Sequence, residues 1–108
     1  MSKDEVYQKE REKLTKIFAD AEPSKAQLVE GLIEDAAFLM AESHSLRETI
    51  AGTGMVKVHP QHSELQKSTE AAKQYLKNVN SYAVVIKTLN GILNKSLIEE
   101  GDDLDEFV

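Results

Sequence analysis

Glu30, Glu34 and Asp35 stand about one helical turn apart, and Glu100-x-x-Asp103 follows far downstream. Acids at that spacing, on two helices that face each other, can share a magnesium ion and hydrolyse a nucleotide pyrophosphate. Here the downstream pair lies in a glycine-broken tail, so Glu30 and Glu34 read as a solvated face. His59 and His62, three residues apart, could present two imidazoles to a metal, with Glu64 the one neighbour placed to add a third ligand. Two nitrogens do not complete a site, and a surface cap is the expected role. Gly52-Thr53-Gly54 invites a phosphate-loop reading, but such a loop ends in Gly-Lys-Ser/Thr, and Lys57 sits between Val56 and Val58. Helix cap and turn is the expectation for these glycines. Without a Ser-His-Asp or Cys-His arrangement, the expected protein is not an enzyme and uses no cofactor or metal.

The remaining chemistry is that of contact. Lys9, Arg11, Lys13 and Lys16, with Lys25 beyond them, are placed to meet phosphates, although acids interleave with them. Lys67, Lys73 and Lys77 offer a second basic set spaced for a solvated face. The formal charge is −6, and the last ten residues, EEGDDLDEFV, carry six acids and no base. Without them, 13 acids balance 13 bases, so the body is neutral and the excess charge belongs to the tail. A neutral body leaves nucleic-acid binding to local patches rather than totals. Leu104, Phe107 and Val108 punctuate the acidic tail and suit docking on a basic groove of a partner, or the tail simply solubilises.

The elements that position these groups are helical. In 108 residues, 41% are hydrophobic but only 6% aromatic, with no tryptophan. Such a chain makes one small domain, elongated or sharing its core between subunits. The absence of cysteine and of an apolar leader or spanning run leads us to expect a soluble intracellular protein without membrane contact. Ser2-x-x-Glu5 is a capping box opening an amphipathic helix over residues 3–20, with Val6, Tyr7, Leu14, Ile17, Phe18 and Ala21 on its apolar face. Glu22-Pro23-Ser24 punctuates, and Pro23 starts a second helix. From Leu28 the seam positions Leu32, Ala36, Leu39, Ser43, Leu46 and Ile50 step by threes and fours, which is the spacing of a packed seam. Val29, Ile33, Ala37 and Met40 widen that seam. At ~1.5 Å per residue, positions 23–51 make a rod of roughly 43 Å.

Gly52 is expected to end the rod in the left-handed conformation. Pro60, flanked by His59, is expected to open the next helix, in which Leu65, Thr69, Ala72, Leu76, Val79, Ala83, Ile86, Leu89 and Leu93 repeat the stepping. Met55-Val56-Lys57-Val58 has β character but no obvious pairing partner, so the segment is taken as a bend. Asn78-Val79-Asn80-Ser81 has poor helix propensity, and Ser81 is placed to cap a separate short C-terminal helix. The expected fold is therefore all-α, a long antiparallel helical hairpin with an N-terminal amphipathic helix, oligomerising side by side. Residues 1–21 form the amphipathic helix, 22–98 the oligomerisation core and 99–108 a disordered acidic tail. The expected oligomer interface comprises Leu28, Leu32, Ile33, Leu39, Met40, Leu46 and Ile50.

A long helix, a loop of glycine and β-branched residues, then Lys57-Val58-His59-Pro60 ahead of Ala71, Ala72 and Leu76 resembles the phage terminase small subunits over about residues 25–90. Where members of that family often carry Leu-Gly-Leu and then Thr/Ser-Pro, this chain has Val79-Asn80-Ser81-Tyr82. The resemblance implies a non-catalytic DNA-packaging component in the cytoplasm of an infected bacterial host. It would assemble into a homo-oligomeric ring, recognise viral double-stranded DNA and recruit or regulate the terminase large subunit, which carries ATPase and nuclease. On that basis Lys9, Arg11, Lys13, Lys16 and Lys25 would contact DNA, and Leu104, Phe107 and Val108 would dock on the large subunit. A dimeric helical adaptor with no nucleic-acid role and a magnesium-dependent pyrophosphohydrolase are the competing readings.

Overall fold

The computed structural model describes the backbone of residues 1–100 and the side chains of residues 1–95; the tail from 101 on, with Asp103, Leu104, Phe107 and Val108, and the side chain of Glu100 lie outside the described residues, while the backbone of Glu99 and Glu100, expected in a disordered tail, is helical. Three α-helices dominate: α1 (Lys3–Ile17), α2 (Ala26–Thr53) and α3 (Glu70–Glu100), with a 3-10 turn at Pro23–Lys25 leading into α2. Between α2 and α3 lies a two-stranded antiparallel ribbon, β1 (Val56–Val58) with β2 (Gln66–Ser68). The fold is all-α with this one small ribbon.

Ser2 opens α1 as its spacing predicts: its Oγ accepts the Glu5 amide hydrogen at 3.2 Å, and its hydroxyl meets Glu5 Oε1 at 3.3 Å. Both interactions converge on the Ser2 hydroxyl. Leu14 and Phe18 bury their side chains against α2, whereas Ile17, assigned to the same face, is exposed. At 100° per residue, Ile17 lies a full quarter-turn from Phe18 and points past the neighbouring helix.

α2 is the central element. Lys3 reaches Glu42 at 3.0 Å and Arg11 reaches Glu30 at 4.0 Å, so α1 runs antiparallel to it. On its other flank Arg47 Nε donates to Tyr75 Oη at 3.1 Å, while Val29, Ile33 and Ala36 share a core with Leu89. α3 is thus antiparallel as well. The breadth of the α2 seam comes from these two neighbours within the same chain. This corrects the assignment of Ile33 to an oligomer interface: it is 5% exposed, in the chain's own core with Leu14, Phe18 and Leu89. Leu32, Leu39, Met40, Leu46 and Ile50 are half-buried, and Leu28 is exposed.

The segment between α2 and α3 differs most from expectation. α2 runs two residues further than expected, and Gly54, at φ +77°, forms its cap, its N–H donating to Ile50 O at 2.6 Å. The partner that Val56-Lys57-Val58 lacked in sequence is Gln66-Lys67-Ser68. His59-Pro60 therefore sits at the tip of the ribbon and opens no helix; α3 begins ten residues later. Thr69 is its cap. The Thr69 hydroxyl accepts from the Ala72 amide at 3.2 Å and donates to Gly54 O at 3.1 Å, while the Thr69 N–H donates to Met55 O at 3.0 Å.

α3 then runs without a break through Asn78–Ser81, so Ser81 caps no helix, and among the described residues no separate C-terminal helix follows it. Asn78 is buried, with its Oδ1 accepting from Gln74 Nε2 at 2.8 Å one turn earlier, and Tyr75 and Tyr82 hold the helix on either side. Tertiary packing overrides weak local propensity. The whole body measures 70 × 33 × 15 Å with a radius of gyration of 19.4 Å, against about 13 Å for a compact domain of this length.

Candidate self-association and nucleic-acid surfaces

The three acids of α2 do not share one environment, and the downstream Glu100/Asp103 side chains lie outside the described residues. Glu30 is engaged at the α1–α2 boundary by Arg11, and Glu34 and Asp35 are exposed on the outward side of α2. His59, His62 and Glu64 do meet at the ribbon tip: the two rings lie 5.1 Å apart, and His62 Nδ1 is 3.4 Å from Glu64 Oε1. His59 Nδ1 accepts the Gln61 amide hydrogen at 3.1 Å. One inward nitrogen of each ring is therefore occupied by protein, and no group of three His, Asp or Glu with metal-holding geometry occurs among the described residues. No helix among the described residues is long and apolar enough to cross a membrane.

The proposed DNA contacts divide. Lys9, Lys13 and Lys16 fall at i, i+4 and i+7 on α1, which aligns them on one side of the helix. Lys13 is tied to Glu10 at 2.8 Å. Arg11 turns toward α2 and Glu30, and Lys25 is half-buried at the 3-10 turn, so neither joins that row.

Glu10 itself is a residue the periodicity did not single out. It is 6% exposed, an unusual place for a carboxylate. Tyr82 donates to its Oε1 at 2.5 Å and Lys13 approaches its Oε2 at 2.8 Å, so both oxygens are satisfied. Burial, then the hydrogen bond to Glu10 and the charge behind it, push the Tyr82 hydroxyl well above the usual tyrosine range. Glu10 and Tyr82 join α1 to α3 across α2.

No family model, curated protein or solved structure matches the chain. Its surfaces must therefore speak for themselves.

Two outward faces carry large apolar groups. On α2, Leu28 and Phe38 are 56% and 57% exposed, with Glu30, Glu34 and Asp35 around them. On α3, Leu76, Val79 and Val84 are 53%, 40% and 63% exposed. Leu76 and Val79 lie in the same row as buried Ala72, so the seam leaves the core part-way along the helix. Lys73, Lys77 and Lys87 accompany that row, and no acid occurs on α3 between Glu70 and Glu99. Phe38 and Val84 were missed in sequence because each falls outside the three-and-four stepping; their one signal was a large apolar residue between polar neighbours. Lys67 was read as one of a helical set, yet it lies in β2.

Proposed function

We propose that this chain is a non-catalytic, self-assembling packaging protein of the terminase small-subunit kind, which binds viral double-stranded DNA and recruits the terminase large subunit. The observation that carries the reading is the pairing of two unlike faces on one chain. The outward face of α2 is apolar and acidic, and that of α3 is apolar and basic. A face that matches its opposite rather than itself favours head-to-tail contact, and head-to-tail contacts that close make rings. Leu28 and Phe38 of one copy would pack against Leu76, Val79 and Val84 of the next, with Glu34 and Asp35 facing Lys77 and Lys87.

Lys9 and Lys16, with Lys13 between them held to Glu10, make the row along α1 that is assigned to DNA, and Leu104, Phe107 and Val108 are assigned to the large subunit on their place in the acidic tail. A dimeric adaptor built on a two-fold would instead need a self-complementary face, and the charge division between α2 and α3 argues against it. The functional test is a pull-down of the terminase large subunit with the intact chain and with residues 99–108 deleted. Recovery by the intact chain and loss on deletion is the expected result. Equal recovery by both would remove the tail assignment, and recovery by neither would remove the packaging reading.

A further inference from the structure

The ribbon places two like charges where a free protein gains nothing from them. In the β1–β2 register Lys57 stands directly opposite Lys67. Directly opposed residues have Cβ atoms about 4.5–5.5 Å apart on one face, and like charges there are destabilising. Neither lysine has a carboxylate within ion-pair distance among the described residues, whereas Lys3, Lys13 and Lys73 each have a glutamate. A two-stranded ribbon is itself marginal in water, so an uncompensated repulsion at its centre needs an anion to make sense of it.

We propose that the β1–β2 ribbon grips the sugar-phosphate backbone of duplex DNA, with Lys57 and Lys67 as paired phosphate ligands and His59 as a third donor. The assignment rests on the packaging reading above and names the element that carries its DNA contact. His59 follows Lys57 by two residues, and its N–H donates to Leu65 O at 2.9 Å, so the ladder extends one residue and keeps His59 on the lysine face. Its Nδ1 accepts from the Gln61 amide, which leaves the proton of the neutral ring on Nε2 as a donor. Lys57, His59 and Lys67 line one open depression of 440 Å³, which Glu64 and Leu65 also border. Glu64 is the one carboxylate there, and it is drawn toward His62.

The ribbon is also built to project. Every residue from Ala51 to Ser68 is exposed, while the hydrogen bonds of Thr69 to Gly54 and Met55 fasten its two roots together. A fastened two-stranded ribbon is one of the shapes the DNA major groove admits, and lysines on it meet phosphates as point charges.

The test is fluorescence anisotropy of the full chain with a mixed-sequence DNA duplex over a series of salt concentrations. The variants are Lys57→Gln with Lys67→Gln, Lys57→Arg with Lys67→Arg, and Lys9→Gln with Lys13→Gln and Lys16→Gln. Far-ultraviolet dichroism and assembly mass confirm that each is folded as the parent is. The glutamine pair is expected to weaken binding and to flatten the log affinity against log salt slope by about 2, one for each lost phosphate contact. The arginine pair is expected to keep both. If the glutamine pair binds as the parent does while the α1 triple variant loses binding, the ribbon assignment falls and the packaging reading survives on α1. If the parent binds no duplex, both fall. If polyglutamate competes as well as unlabelled duplex of equal charge, the ribbon is a general anion or protein docking arm, and the DNA assignment is overturned.

Discussion

Glu10 brings a negative charge into the boundary of three helices, and its two oxygens are answered by Tyr82 from α3 and Lys13 from its own helix. Removing either member of the Glu10–Tyr82 bond leaves the other, a buried carboxylate or a half-buried hydroxyl, without this partner, which costs about 1–3 kcal/mol. Glu10→Ala and Tyr82→Phe should each lower the chemical-denaturation midpoint, and the double variant should cost less than the two summed. Additive losses would show the bond to be idle. The raised Tyr82 hydroxyl gives this bond a pH signature. A group whose folded pKa is raised contributes its stability below the unfolded value, about 10 for tyrosine, and loses it as pH climbs from there. Stability should therefore fall above about pH 10, and Tyr82→Phe should flatten that fall.

Gly31 tests the outward face of α2 at the same scale. A Cβ built at Gly31 meets nothing within 4 Å, and the residue sits inside a 28-residue helix. In an isolated chain Gly31→Ala should raise stability by about 1 kcal/mol, since glycine inside a helix costs about that much relative to alanine. Thermal unfolding at dilute concentration measures it. No gain in the monomer would mean the α2 backbone departs from helix here.

Among the elements, α2 and its partners were legible because their apolar residues keep a helical period over many turns. The Ser2 cap was legible from four residues. What the period could not reveal was where the second long helix begins. Leu65 and Thr69 continue its stepping by coincidence, yet Leu65 lies beside the β2 strand and Thr69 is a cap. Strands of three residues leave too few alternations to register against a strong helical background. Nor could propensity reveal that Asn78–Ser81 stays helical, because Gln74, Tyr75 and Tyr82 supply that stability from packing and hydrogen bonds. Thr69 is the hinge of this account: Thr69→Val should cost about 1 kcal/mol through the lost cap. It should also speed amide exchange in 55–58 and 66–68, where the ribbon roots come apart. Unchanged exchange there would show the ribbon to be held by something else.

For the molecule as a whole, the contact surfaces were harder to read than the helices. The sequence shows a broad apolar seam on α2 and suggests that other copies cover the excess, but α1 covers much of it. The unclaimed apolar groups instead sit on the outward sides of α2 and α3, and in the proposed assembly the opposite charge of those two faces would set its direction. The central claim is that α2 of one copy meets α3 of the next, and light scattering coupled to gel filtration tests it most directly. The parent chain should elute as one closed assembly larger than a tetramer. Lys77→Glu with Lys87→Glu should reduce it to monomer, and adding Glu34→Lys with Asp35→Lys should restore the assembly. A parent chain that is monomeric at every concentration, or charge-reversed variants that assemble as the parent does, would contradict the account.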